Sequence, residues 1–127
     1  MKLETKLRGA LRFAQRRCER DGRAPPQITL AFLLKQWERQ CGRCALTHVP
    51  MEMSGPFGVT IDRINSNRGY LRNNVVLATH FANAAKSNTT VREFKNCLQQ
   101  IWNIRFKGKT KLSPRQIYKL AINSKVP

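Results

Sequence analysis

The run Gly58-Val-Thr-Ile-Asp-Arg-Ile64 reads as a β-strand, yet it holds a carboxylate in its middle. Alternation along a strand sends Val59, Ile61 and Arg63 to one side and Thr60, Asp62 and Ile64 to the other. Asp62 therefore sits among apolar neighbours, where an ionised carboxyl is costly unless something pairs with it. A fold that keeps this strand has to bring Asp62 a partner. Three are open: Arg63 beside it, Lys86 further along the chain, and a divalent cation, which takes hard oxygen ligands. The first two would hold strand to helix; the third would make a reactive site.

A chain of 127 residues has room for one domain with a modest core. Its 24 Lys and Arg against 7 Asp and Glu leave a charge of +17, which suits a polyanion, nucleic acid first of all. The plain alternative is a basic protein that adheres to nucleic acid or to anionic surfaces without acting on them. No apolar segment is long enough to span a bilayer, and no basic-then-apolar leader opens the chain, so an intracellular, membrane-free protein is expected. Of four cysteines, Cys41 and Cys44 sit at knuckle spacing. Cys18 and Cys97 fall on apolar faces of expected helices and read as buried thiols that behave as small hydrophobes.

Leu3, Leu7, Leu11, Ala14 and Cys18 recur at helical spacing, which predicts an amphipathic helix near residues 2 to 21 with Arg8, Arg12, Arg16, Arg17 and Arg20 on its other faces. Gly22 and Pro25-Pro26 end it. Thr29 then caps a second helix carrying Leu30, Leu33, Leu34 and Trp37. After the strand, Asn65 to Gly69 reads as a loop and Val75 to Lys86 contains a short helix. Thr90-Val-Arg-Glu93 is a capping box for a helix with Val91, Phe94, Leu98 and Ile101 on one face. Lys107 to Lys111 forms a basic linker, and Ser113-Pro114 opens a last helix bearing Ile117, Leu120 and Ala121. Trp37 and Trp102 lie on apolar faces and read as core anchors.

Taken in order, Cys41-Gly-Arg-Cys44, the strand through Asp62-Arg-Ile64, Gly69-Tyr70, Asn74-Val-Val76 and Asn83-Ala-Ala-Lys86 resemble the HNH, or ββα-metal, nucleases. The likeness is to the branch, common in phage-type proteins, that reads Asp-Arg where most members read Asp-His. It implies a ββα-metal core over residues 41–88, which together with the basic helical part over 1–40 and the C-terminal helices over 89–127 read from their periodicity makes an α+β fold, one domain in all. It further implies a metal-dependent DNA endonuclease that hydrolyses phosphodiester bonds and works in the cytoplasm of a host if phage-encoded. Asp62 and Asn83 would hold Mg²⁺ or Mn²⁺, Arg63 and Lys86 would grip phosphate, and Asn74 would brace the loop. Arg8, Arg12 and Arg16 lie outside the resemblance and would add DNA affinity through phosphate contacts. A single module would nick, whereas cutting both strands would imply a dimer.

Two departures bear on activity. Arg63 stands where most HNH enzymes place the histidine that deprotonates the attacking water, and a guanidinium cannot act as a base near neutrality. His48, His80 and Tyr70 are the candidates to replace it, His80 within the site helix being the better histidine, and a metal-bound hydroxide is another route. Second, zinc-bearing relatives close their site with a further cysteine pair, and the matching positions here are Thr79 and Ala82. Zinc on Cys41 and Cys44 would need two more ligands, such as His48 and His80, so the knuckle reads as a zinc-free remnant shaped by Leu46, Val49 and Phe57. The alternative function is a catalytically inactive DNA-binding protein of the same fold that acts by occupying DNA or a partner protein. An RNA-binding or assembly protein with the same basic surface is a third.

Overall fold

A computed structural model describes residues 1–107 together with 113, 115, 116, 118 and 119. The expected linker over residues 108–111 and the helix face of Ile117, Leu120 and Ala121 lie outside the described residues. The chain falls into two compact units, Met1–Val91 and Arg92–Pro127. The first is α+β: helices α1 (Leu3–Arg20) and α2 (Leu30–Arg39), strands β1 (Val59–Arg63) and β2 (Val75–Thr79), then helix α3 (His80–Lys86).

Helix α1 buries Leu7, Ala14 and Cys18, the stripe that its 3.6-residue period anticipates. It ends because Gly22 adopts φ +66°, so that Gly22 N–H donates to Glu19 O and Arg23 N–H to Cys18 O, a Schellman closure of the last turn. Thr29 starts α2, its Oγ1 accepting from Phe32 N at 3.1 Å. Beyond α2 the chain reverses through Cys41 and Gly42, both at positive φ. A side chain at Gly42 would meet the Trp37 ring at 3.0 Å, so here glycine serves both backbone and packing.

Strands β1 and β2 pair antiparallel with Val59 opposite Thr79 and Asp62 opposite Val76. The first five residues of the 75–86 segment are thus strand, and its helix begins only at His80. Helices α1 and α3 pack on β1, and α2 and α3 pack on β2. Leu7, Leu33, Val59, Leu77, Ala78 and Ala82 are buried where these elements meet. Burial does not alternate along β1: Val59 and Asp62 are buried and the residues between them half-buried.

In the second unit, α4 (Val91–Ile101) runs into a π-helical stretch, Trp102–Phe106. Phe94 is buried, but Cys97, Ile101 and Trp102 are exposed, which corrects their assignment to a core face. The buried side of α4 is narrow, and the wider π turn takes the following apolar residues off the 3.6-residue period. Trp102 stacks on Phe106 instead, ring centroids 5.5 Å apart. Phe57 is likewise exposed rather than packed in the knuckle. No described helix is long and apolar enough to cross a membrane.

Candidate functional site

The carboxylate of β1 has found its partner. Asp62 is 5% exposed, and Lys86, at the end of α3, places Nζ 3.4 Å from Asp62 Oδ1 and 3.2 Å from Arg63 O. Lys86 is itself buried, so it does not stand at the surface to meet phosphate, a correction to its expected role. Four carbons of stem let its ammonium reach back under the strand from the last turn of α3. Burial pushes the Asp62 carboxyl above the ordinary aspartate range, while Lys86 and then Arg63 pull it down. Oδ2 of Asp62 has neither solvent nor a hydrogen-bond donor.

Asn83, one turn before Lys86, donates Nδ2 to Thr60 Oγ1 at 3.1 Å and to Ile61 O at 3.4 Å. A main-chain carbonyl only accepts, so these bonds fix the amide with nitrogen toward the strand and Oδ1 away from it. Thr60 completes the chain by donating Oγ1 to Ala78 O. The Arg63 guanidinium lies 5.0 Å from the Tyr70 ring centroid and donates to Arg68 O. It is thereby held over a buried aromatic ring, half-exposed.

Asn74 is buried, and its side-chain hydrogen bonds go to the loop. Its Oδ1 accepts from Asn65 N at 2.9 Å, and its Nδ2 donates to Asn65 O and Gly69 O at 3.0 and 2.8 Å. These bonds brace the loop between the strands, as the sequence reading expects.

Above these residues lies a cleft of about 710 Å³ whose floor includes Asp62, Arg63, Asn83 and Lys86, with His80 exposed at its rim. Its opposite wall is α1. Arg12 lines the cleft as a basic contact, and so do Arg17 and Lys6, whereas Arg8 and Arg16 do not. Arg8 is instead paired with Glu4 at 2.8 Å on an exposed face. The sequence signal that could have selected the cleft side of α1 is the row Thr5, Gly9, Phe13 and Arg17 at four-residue spacing, all of which line it.

Cys44 is buried, and its Sγ accepts from Thr79 N at 3.3 Å and Thr79 Oγ1 at 3.7 Å. Knuckle and site helix are thus joined directly, through Thr79, the residue whose Oγ1 also caps α3. Burial pushes the Cys44 thiol up, but hydrogen bonds with Thr47, Thr79 and Leu46 outweigh it and hold the group below its ordinary value. Cys41 and His48 are exposed, both at positive φ, as loop residues. Gln40, which sequence reading passed over, forms the other tie: its Oε1 accepts from Leu77 N at 2.9 Å and its Nε2 donates to Leu77 O at 2.8 Å, so one amide side chain pairs the outer edge of β2.

Among the described residues no group of three or more His, Cys, Asp and Glu is placed to hold a metal ion. A cation in the cleft would take Asp62 and Asn83 as its protein ligands together with water and phosphate oxygens, a hard-oxygen set that suits Mg²⁺. Asp62, with one carboxylate oxygen lacking a donor, and Asn83, with its amide oxygen turned away from β1, both line the cleft, and these hard oxygen donors fit such an ion. No protein-family model, curated protein or solved structure matches the chain.

Proposed function

We propose that the chain is a metal-dependent DNA endonuclease of the HNH type, with the hairpin of β1 and β2 and helix α3 as its ββα-metal core. The observation that carries this reading is Asp62, whose Oδ2 is a buried acceptor without a donor and which lines one cleft with Arg12, Arg17 and Lys6. Such an oxygen is costly in a purely structural ion pair and useful beneath a cation.

When bound, Mg²⁺ or Mn²⁺ stabilises charge developing on the phosphate and on the leaving oxygen. Asp62 and Asn83 are the residues that would hold it. Arg63, set on Tyr70, offers its N–H groups to a phosphate oxygen and orients the scissile bond. His80 lines the same cleft, exposed, and an imidazole nitrogen there accepts the proton of the attacking water, a task barred to Arg63. Arg12, Arg17 and Lys6 hold the flanking backbone.

Supercoiled plasmid incubated with Mg²⁺, Mn²⁺ or EDTA tests the proposal. Cutting should require metal and vanish in Asp62→Asn. That variant is preferred to Asp62→Ala, which would leave the buried Lys86 ammonium with an empty space opposite it. An Asp62→Asn protein that cuts like wild type would place the chemistry elsewhere. One observation favours a second reading, a DNA-binding protein that does not cut: Lys86 already engages Asp62 Oδ1, as a purely structural pair would. Tight, salt-sensitive DNA binding without cutting in any metal would decide for it.

A further inference from the structure

Helix α1 carries a phenylalanine where its pattern calls for a polar residue. Phe13 is 66% exposed, although α1 has a buried stripe at Leu7, Ala14 and Cys18 that could have taken an aromatic ring. It lines the cleft together with Arg12 and Arg17 and faces the same space as Asp62 and Asn83. One turn earlier is Gly9, in the helix interior, where glycine costs roughly 1 kcal/mol relative to alanine. A Cβ there would meet no atom within 4 Å, so neither protein packing nor a positive φ calls for glycine. Gly9 and Ala10 line the same cleft as Phe13, Arg12 and Arg17, and with so little side chain they leave room beside the ring.

An aromatic side chain between phosphate-binding cations is the arrangement that binds unpaired nucleotides, since a base with its face free can stack while arginines follow the backbone. A paired base has its faces covered by its neighbours and cannot reach such a ring. We infer that the cleft takes an unpaired DNA strand, with Phe13 stacking on a base next to the phosphate that Arg63 and Asp62 address. The substrate class is therefore single-stranded DNA or duplex DNA opened at the cutting site. This rests on the nuclease reading for the chemistry at Asp62, but the binding mode stands apart from it.

The test is fluorescence anisotropy in EDTA with a labelled 12-nucleotide DNA, single-stranded or annealed, and with RNA of the same sequence. Wild type, Phe13→Ala and Phe13→Trp would be compared across a salt series, with circular dichroism to check folding. Wild type should prefer the single strand. Phe13→Ala should lose roughly tenfold or more of that affinity, with its salt slope and duplex binding unchanged because no phosphate contact is removed. Phe13→Trp should retain it. Equal losses on both DNA forms, no loss at all, or tighter binding of duplex or of RNA would overturn the inference. Plasmid cutting scored separately keeps the two readings distinct: cutting without strand preference sinks only the stacking mode, and single-strand preference without cutting sinks only the nuclease.

Discussion

Lys86 and Asp62 meet 3.4 Å apart with both side chains almost fully withdrawn from solvent, and the pair satisfies only one of the two carboxylate oxygens. The strand thus holds a charge that the fold neutralises from one side and leaves open on the other. Lys86→Met should destabilise the metal-free protein by about 3–5 kcal/mol, the usual effect of removing one member of a buried pair, measured by urea unfolding in EDTA. A loss under 1 kcal/mol would mean that water reaches the pair.

Acidity should act on the same carboxyl. Because burial raises the Asp62 pKa in the folded protein, the folded state keeps its proton to higher pH than the unfolded chain does. Its contribution to stability is therefore greatest below the unfolded value of about 4 and falls as pH rises toward the folded value. Wild-type stability in EDTA, compared with that of Asp62→Asn from pH 3.5 upward, should decline relative to the variant over that window. A difference rising with pH would mean that Lys86 outweighs desolvation.

Divalent metal should reverse the cost. Mg²⁺ at about 100 times its Kd should add about 2.7 kcal/mol of stability by linkage, seen as a higher melting temperature. Asp62→Asn and Asn83→Ala should each abolish most of the increase, while Cys41→Ser, remote from Asp62 in the knuckle, should not. A shift that survives both site variants would place the ion somewhere else.

Asn74→Ala removes three hydrogen bonds from the inter-strand loop. It should cost about 1–3 kcal/mol, limited by how well water reaches the released groups. Amide exchange at Asn65 should accelerate more than at Val59. Uniform acceleration would mean that the loop is not a local unit.

Gln40→Ala should expose the outer edge of β2, because both main-chain groups of Leu77 bond to this one side chain. Faster exchange at Leu77, with a loss of about 1–2 kcal/mol, is expected. Unchanged protection at Leu77 would show the edge covered by other means, Ala45 N–H being the neighbour already bonded to Leu77 O.

What the residues declared by themselves follows from local rules. The periods of 3.6 and 2, Thr29 as a cap, and Gly22 as a stop place α1, α2 and β1 within a residue or two of where they form, because each depends on neighbours in the chain. Asp62 among apolar residues likewise announced a partner, since desolvation of a charge is costly in any fold. Other decisions required three dimensions. Arg63 and Lys86 were equal candidates until α3 packed against β1 and put the Lys86 ammonium beneath Asp62. Five arginines looked alike on α1 until its packing on β1 turned Arg12 and Arg17 to the cleft and left Arg8, Arg16 and Arg20 outside it. Cys97 and Trp102 carried the right periodicity for a core and yet are exposed, because periodicity marks a face and only tertiary packing decides whether anything covers it.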